Sequence, residues 1–296
     1  MELEDLRRFY AEEIRAVSNI QNDALVEAFA RVRREHFLGP GPWQIATPDS
    51  WSGMSQSSAP SGGYRTTPDA DPRHLYHNVL VAIDAERRLN NGQPGALAAW
   101  LDALELRKGE RVVHVGCGVG YYTAIIAETV GKSGHVTGVE FDSALAARAK
   151  ENLAHVSQVE VVEADGGAYD AGAADAIFVN AGVTHPRNVW LDSLNDGGRL
   201  ILPLTITRDA DESGGGFMLK LKRENERFAA RILSPVAIYS CAGSREPEMN
   251  QKLREALMRG NWFSVRSLRR DAHEPSADCW LHGADFCLST QPPANA

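Results

Sequence analysis

The sequence predicts an α/β protein: a mostly parallel, doubly wound sheet that ends in an antiparallel hairpin, with helices before it and an α+β extension after it. Three observations predict this. Apolar, β-branched segments alternate with helical patterns from residue 111 to residue 204. A glycine-rich turn, Gly116-Cys117-Gly118-Val119-Gly120, joins the first of those strands to the next helix. Two stretches, 217–224 and 227–239, meet across a Glu-Asn-Glu turn as a hairpin would.

In chain order, residues 3–17 place Leu3, Leu6, Tyr10, Ile14 and Val17 near helical spacing. Asn22 or Asp23 can cap a second helix with Leu25, Val26, Phe29 and Val32 on one face. Residues 1–38 are therefore read as helices packed on the main domain. Composition then shifts: 39–72 is rich in Gly, Pro, Ser and Thr, with Trp43, Trp51 and Tyr64 scattered through it. The stretch 39–74 is read as a long loop or lid. The main domain, 75–240, opens with an apolar run of ambiguous type at 75–83. A turn at 87–95 follows, and Pro94 suits the first turn of a helix that carries Leu97, Trp100, Leu101 and Leu104 inward.

The sheet begins with Val112, Val113 and Val115. A second strand ends at Glu140, Ser143 can cap a helix through Leu153, and a third strand, 158–165, ends in Asp165. A fourth, 174–182, carries Asn180 near its carboxyl end. A short helix at 189–194, a fifth strand at 196–204 and a glycine-rich loop at 213–216 lead to the hairpin. In the extension, 241–296, a helix at 247–259 stops at Gly260, and 263–268 and 279–288 read as strands. Packing or an oligomer contact is the role expected of it.

The bulk numbers exclude several classes. Hydrophobic residues make up 43% and charged residues 24% of the 296, as in an ordinary globular protein with material for a core. A net charge of −8 argues against a nucleic-acid backbone as partner. Arg31, Arg33 and Arg34, and Arg266, Arg269 and Arg270, sit among acids and read as solvated faces. The four cysteines show no CxxC pairing, so buried, reduced thiols and no metal site are expected. No apolar run approaches the roughly 18–20 residues that span a bilayer, and the first residues are acidic where a signal peptide is basic. A cytoplasmic protein with no membrane contact is the expectation.

The glycine turn lacks the third glycine of a dinucleotide-binding turn, whose position falls on Tyr121. Alternate glycines suit a ligand without a pyrophosphate, namely S-adenosylmethionine. Glu140, about twenty residues on, is placed to grip a ribose, and Asp165 with Gly166 to lie beside the adenine. Acids after strands are also common helix caps. The candidate donor-binding set is His114, Gly116, Cys117, Gly118, Gly120, Tyr121, Glu140, Phe141, Asp165, Gly166 and Asn180.

The stretch VVHVGCGVGYYTAIIAETVG, with Tyr121 after the glycines and Thr123 two places on, resembles the first motif of the protein-L-isoaspartate O-methyltransferases. Residues 25–37 resemble that family's helix and Arg-Glu-x-Phe segment, and 196–204 and the hairpin with Ser234-Pro235-Val236 its last strands. The resemblance covers roughly residues 20–240. It implies a Rossmann-like class I methyltransferase fold, S-adenosylmethionine as methyl donor and a carboxylate acceptor on a peptide or small molecule. Two positions depart from it. His114 stands where the family commonly has an acid, and Gly92 where a Ser/Thr stretch before a proline supplies a hydroxyl.

A carboxylate is ionised at neutral pH, so its methylation needs positioning rather than a strong base. Asn90, Asn91 and Gln93 are the candidate catalytic residues, orienting the acceptor through their amides; a plain turn would also explain the asparagines. Tyr76 and His77 are further pocket candidates, and His77 is the first candidate base for a hydroxyl acceptor. Two rivals stand: a nicotinamide-dependent oxidoreductase, disfavoured by the glycine spacing, and a donor-binding module without turnover.

Overall fold

The structure, a computed structural model, describes residues 2–46, 63–207 and 213–293. Residues 47–62 of the expected lid, Trp51 among them, lie outside the described residues. The chain forms two compact units interleaved in sequence. The first is Met1–Gly109, Cys117–Gly134 and Asp142–Glu160; the second is Glu110–Gly116, His135–Phe141 and Val161–Ala296.

The first unit is mainly helical. It contains α1 (Leu3–Ser18), α2 (Asp23–Arg31), α3 (Glu35–Leu38), α4 (Pro94–Ala103), α5 (Tyr121–Val130) and α6 (Ser143–Leu153). Two small antiparallel pairs join them: β1 (Gln44–Ala46) with β2 (Tyr64–Thr66), and β3 (Ala82–Asp84) with β4 (Leu89–Asn90). Asn22 caps α2 by accepting from Ala24 and Leu25 amides. Asp142, rather than Ser143, caps α6, because its carboxylate reaches the Ala144 and Leu145 amides at 3.0 Å each. α2 packs on α1 and α5, and an aromatic cluster joins them, with Phe29 between Tyr10 and Tyr121 at 6.2 and 6.5 Å.

Arg34 corrects the expectation of a solvated face. Its side chain is fully buried and donates to the carbonyls of Leu75 (2.6 Å), His77 (3.0 Å) and Val79 (2.7 Å). The run at 75–83 is not one element. A 3-10 turn, Pro72–Leu75, leads through irregular backbone to β3, and the forked guanidinium takes the three carbonyls of that stretch.

The second unit holds a ten-stranded sheet. Its strands are β5 (Arg111–Val115), β6 (His135–Glu140), β7 (Val159–Glu163), β8 (Ala174–Val179), β9 (Leu194–Ile206), β10 (Ser213–Glu224), β11 (Arg227–Tyr239), β12 (Ser267–Arg269), β13 (Cys279–His282) and β14 (Cys287–Ser289). Their order is β13-β14-β12-β11-β10-β9-β8-β5-β6-β7. Pairing is parallel across β6-β5-β8-β9 and antiparallel from β9 outward to β13. Val113, Val115, Ile177, Val179, Leu200 and Leu202 share one buried core with Met249, Leu253 and Ala256 of α8 (Pro247–Arg259). The short α7 (Asn188–Ser193) adds Trp190 and Leu191.

The glycine-rich stretch 213–216 is strand, not loop. Gly215 and Gly216 pair with Ile206 and Thr205 on one side and with Ala237 and Val236 on the other. A Cβ on Gly216 would overlap the Leu204 carbonyl, so close strand packing, not a bend, accounts for that glycine. The extension's strands continue the same sheet: β12 pairs with β11 at Phe228–Leu268, and β14 with β12. No helix among the described residues is long and apolar enough to cross a membrane.

Candidate active site

In the second unit, β5 has β6 on one side and β8 on the other. Strand order reverses there, and the crevice at the carboxyl ends of such strands is where open α/β sheets bind ligands. Gly116 ends β5, and its N–H donates to Val139 O at 2.8 Å; the Asn180 N–H donates to Val115 O at 2.8 Å. A Cβ on Gly116, at φ +73°, would stand 3.4 Å from the Asn180 carbonyl oxygen. That positive φ, which side-chain-bearing residues rarely adopt, favours glycine.

Glu140 ends β6 at 9% exposure, with Oε1 accepting from the Phe141 N–H at 2.9 Å. Phe141 itself is 58% exposed. Asp165 lies just past β7. Its Oδ1 accepts from the Gly167 N–H at 2.8 Å, and its carbonyl accepts from the Ala168 and Tyr169 amides. It thus serves as a turn cap, as an acid after a strand commonly does. Gly166 O accepts from Trp190 Nε1 at 2.7 Å.

His114 is entirely buried beside Phe178, ring centroids 5.4 Å apart. Burial pulls its pKa down to about 3, so the imidazole is neutral at physiological pH and supplies no charge.

The rest of the glycine turn belongs to the first unit. The Gly120 N–H closes the turn on Cys117 O at 3.0 Å, and Asn152 Nδ2 holds Val119 O at 2.9 Å. A Cβ on Gly120 would stand 2.7 Å from Leu153 Cδ1, whereas one on Gly118 would meet nothing within 4 Å. The turn is therefore packed on one side and open at Gly118, beside the N-terminus of α5, where the helix dipole is positive. Cys117 is buried. Tyr121 is buried too, its ring 5.6 Å from Phe37 and 5.0 Å from Tyr122, so that ring belongs to the core.

The asparagine stretch also lies in the first unit. Asn90 Oδ1 accepts from the Gly92 N–H at 3.0 Å, so this side chain builds the turn. Asn91 is 6% exposed, and its Nδ2 has no hydrogen-bond partner among the described residues. Gln93 is the N-cap residue of α4 and makes no side-chain cap bond. Tyr76 is buried and donates to Glu35, with burial raising its pKa, while His77 is exposed.

Sequence reasoning missed two groups in the second unit. The segment 241–244 is tied to the loop after β8 by the Cys241 N–H, which donates to Gly182 O at 2.8 Å, and it sets Gly243 against the Asp165 carboxylate. In that same loop, His185 lies 3.2 Å from Arg187 Nη1, which is 2.9 Å from Glu246 Oε1. Neither group has a spacing signal, because each spans separate elements.

A parallel sheet reversed at β5 and β8, a glycine turn opening at a helix N-terminus and an acid ending the next strand define a class I S-adenosylmethionine-dependent methyltransferase. Residues 67–239 match the family described as protein-L-isoaspartate(D-aspartate) O-methyltransferase, and the chain belongs to that family. A protein-L-isoaspartate O-methyltransferase of Methylorubrum populi is 35% identical over 222 residues, 74% of this chain and 86% of that protein. One from Ignicoccus hospitalis is 33% identical over 170 residues, covering 56% and 77%. A Thermotoga maritima relative is 30% identical over 139 residues, and that match spans 45% of this chain and 44% of the relative.

Two solved structures share the fold. A protein-L-isoaspartate O-methyltransferase has TM-score 0.61 at 21% identity, covering 85% of this chain and 69% of its own. A Plasmodium falciparum protein titled a putative member, in complex with S-adenosyl-L-homocysteine, has TM-score 0.57 at 18% identity, covering 79% and 97%. The chain is an S-adenosylmethionine-dependent methyltransferase. In the first unit, the open Gly118 and the N-terminus of α5 have the chemistry to fit the anionic end of that cofactor.

Proposed function

We propose that the protein methylates the free carboxylate of isoaspartyl residues in peptides. The observation that carries this reading is the family match across residues 67–239. When bound, S-adenosylmethionine would supply a sulfonium-activated methyl group: a carboxylate oxygen would bond to the methyl carbon in line as the sulfur–carbon bond breaks, leaving a methyl ester and a neutral thioether.

In this reading Gly116, Gly118, Gly120 and the first amides of α5 hold the donor's amino-acid end, with neutral His114 and buried Cys117 shaping the turn beneath it. Glu140 accepts from the ribose hydroxyls, and the exposed ring of Phe141 covers the adenine face. Asp165 holds the turn that carries Gly166 beside the adenine, and Asn180 lines the strand end next to Gly116.

No general base is required, because the acceptor is already an anion. The protein's contribution is alignment, which supplies up to ~7–11 kcal/mol in well-oriented reactions. Asn91 is the leading positioning residue, since its buried amide N–H group has no partner among the described residues. Asn90 shapes the turn that presents it, and Gln93 lies next along the chain at the start of α4. Gly92 offers no hydroxyl, so amides replace the family's serine at this place. A net charge of −8 favours a peptide acceptor over nucleic acid.

The test is a base-released methanol assay with methyl-labelled donor, an isoaspartyl peptide and its aspartyl twin. Volatile label from the isoaspartyl peptide alone is expected. Equal labelling of both, base-stable label, or none from either overturns the reading.

A further inference from the structure

Four residues outside the methyltransferase site converge in the extension, beyond the matched residues 67–239. His273 follows β12, Cys279 opens β13, His282 closes it and Cys287 opens β14. In a regular strand, positions 279 and 282 would face opposite sides. Here the β13–β14 register shifts between Cys279 and Leu281, which turns Cys279 to the side of His282; His282 is paired directly with Cys287.

The ligand atoms of all four lie within 4.8 Å of one another. His273 Nε2 stands 3.4 Å from Cys279 Sγ. Tetrahedral zinc, with Zn–S near 2.3 Å and Zn–N near 2.0–2.1 Å, sets its ligand atoms roughly 3.3–3.8 Å apart. The cluster is therefore close to coordination geometry.

The surroundings are arranged as in a metal site. His273 Nδ1 is 2.8 Å from Asp271 O, which holds the proton on Nδ1 and leaves the Nε2 lone pair facing Cys279. The Ser276 N–H donates to Cys279 Sγ at 3.3 Å, a bond that supports a thiolate. His282 Nδ1 is buried with no hydrogen-bond partner among the described residues. The cost of a buried polar atom left unpaired is removed if it binds a metal.

We propose that His273, Cys279, His282 and Cys287 bind one zinc ion at a structural site. Two thiolates and two neutral imidazoles balance the dication and complete a tetrahedron, leaving no open position for catalysis. The ion ties the segment after β12 to the β13–β14 hairpin. These strands are three to four residues long, and such short pairings gain from a metal staple.

The test is metal analysis of the full chain, purified under reducing conditions and desalted, together with cobalt(II) substitution. About one zinc per chain and a thiolate-to-cobalt charge-transfer band are expected. Cys279→Ser and His273→Ala should each weaken cobalt binding by about tenfold or more. If these variants do not fold, the wild-type stoichiometry and cobalt spectrum still decide. A folded wild-type chain that retains no zinc and gives no thiolate–cobalt band overturns the proposal. So does a Cys279–Cys287 disulfide found by mass spectrometry in the metal-free protein.

Discussion

Gly116 and Asn180 lie side by side at the carboxyl ends of β5 and β8, where a methyl group on Gly116 would come 3.4 Å from the Asn180 carbonyl oxygen. The sheet's strand order reverses at these two strands, and Glu140 ends the next strand over. The first prediction concerns that acid.

Glu140→Gln keeps the shape of the strand end and removes the charge. A hydrogen bond to a charged acceptor contributes about 1.5–3 kcal/mol, so affinity for S-adenosylhomocysteine should fall by about ten- to a hundredfold. Calorimetric titration measures this, with circular dichroism confirming the fold. Unchanged affinity would remove Glu140 from the donor site.

Gly92→Ser introduces the hydroxyl that the family resemblance leads one to expect here, yet it should do harm. Gly92 sits at φ +67°, and a Cβ there would stand 2.9 Å from Leu97 Cδ2. The left-handed conformation costs a non-glycine residue about 1–3 kcal/mol. Thermal unfolding of the variant should shift down, and a neutral or raised Tm would contradict the strain argument.

Glu110 and Arg199 form a bidentate pair, both bonds at 2.9 Å, with side chains 11% and 4% exposed. Arg199 also donates to Asp175 O at 2.9 Å. Glu110→Ala leaves a buried guanidinium without its counter-ion, a loss of about 3–5 kcal/mol. Urea titration should show a lower midpoint at an unchanged m-value.

His114 makes the protein sensitive to acid. Burial pulls its folded pKa to about 3 from the ordinary 6.5. Below the higher value the unfolded chain takes up a proton that the folded chain refuses, so stability falls as pH drops through this window. The slope from this group is at most about 1.4 kcal/mol per pH unit. His114→Leu should therefore flatten the fall in unfolding free energy between about pH 6.5 and about pH 4, as followed by urea titration. An equally steep fall in the variant would assign the sensitivity elsewhere.

Much of this protein was legible locally. The Val112–Val115 strand, the alternate glycines and the acid at Glu140 follow from residue type and spacing, and the hairpin from two period-two segments around Asn225. The asparagine cap of α2 was also readable, because capping is a short-range interaction. Three readings went astray or stayed open for one reason: they depend on partners distant in sequence. Arg34 sits in an acidic neighbourhood yet buries itself against carbonyls some forty residues on. The glycines at 214–216 have loop propensity but lie between two strands. Asp165 is an acid after a strand by any local rule, and only the packed structure shows its carboxylate capping a turn with Gly243 against it.

The sequence by itself determined the alternating strand–helix order and the glycine turn, because both are governed by backbone propensity and by side chains a few residues apart. Tertiary structure decided which distant residues meet: Gly116 with Asn180, Glu110 with Arg199, and His273 with Cys279, His282 and Cys287. Spacing alone set Cys279 and His282 on opposite faces of a strand. One extra residue in the β13–β14 register, a matter of pairing rather than composition, brought them to the same side.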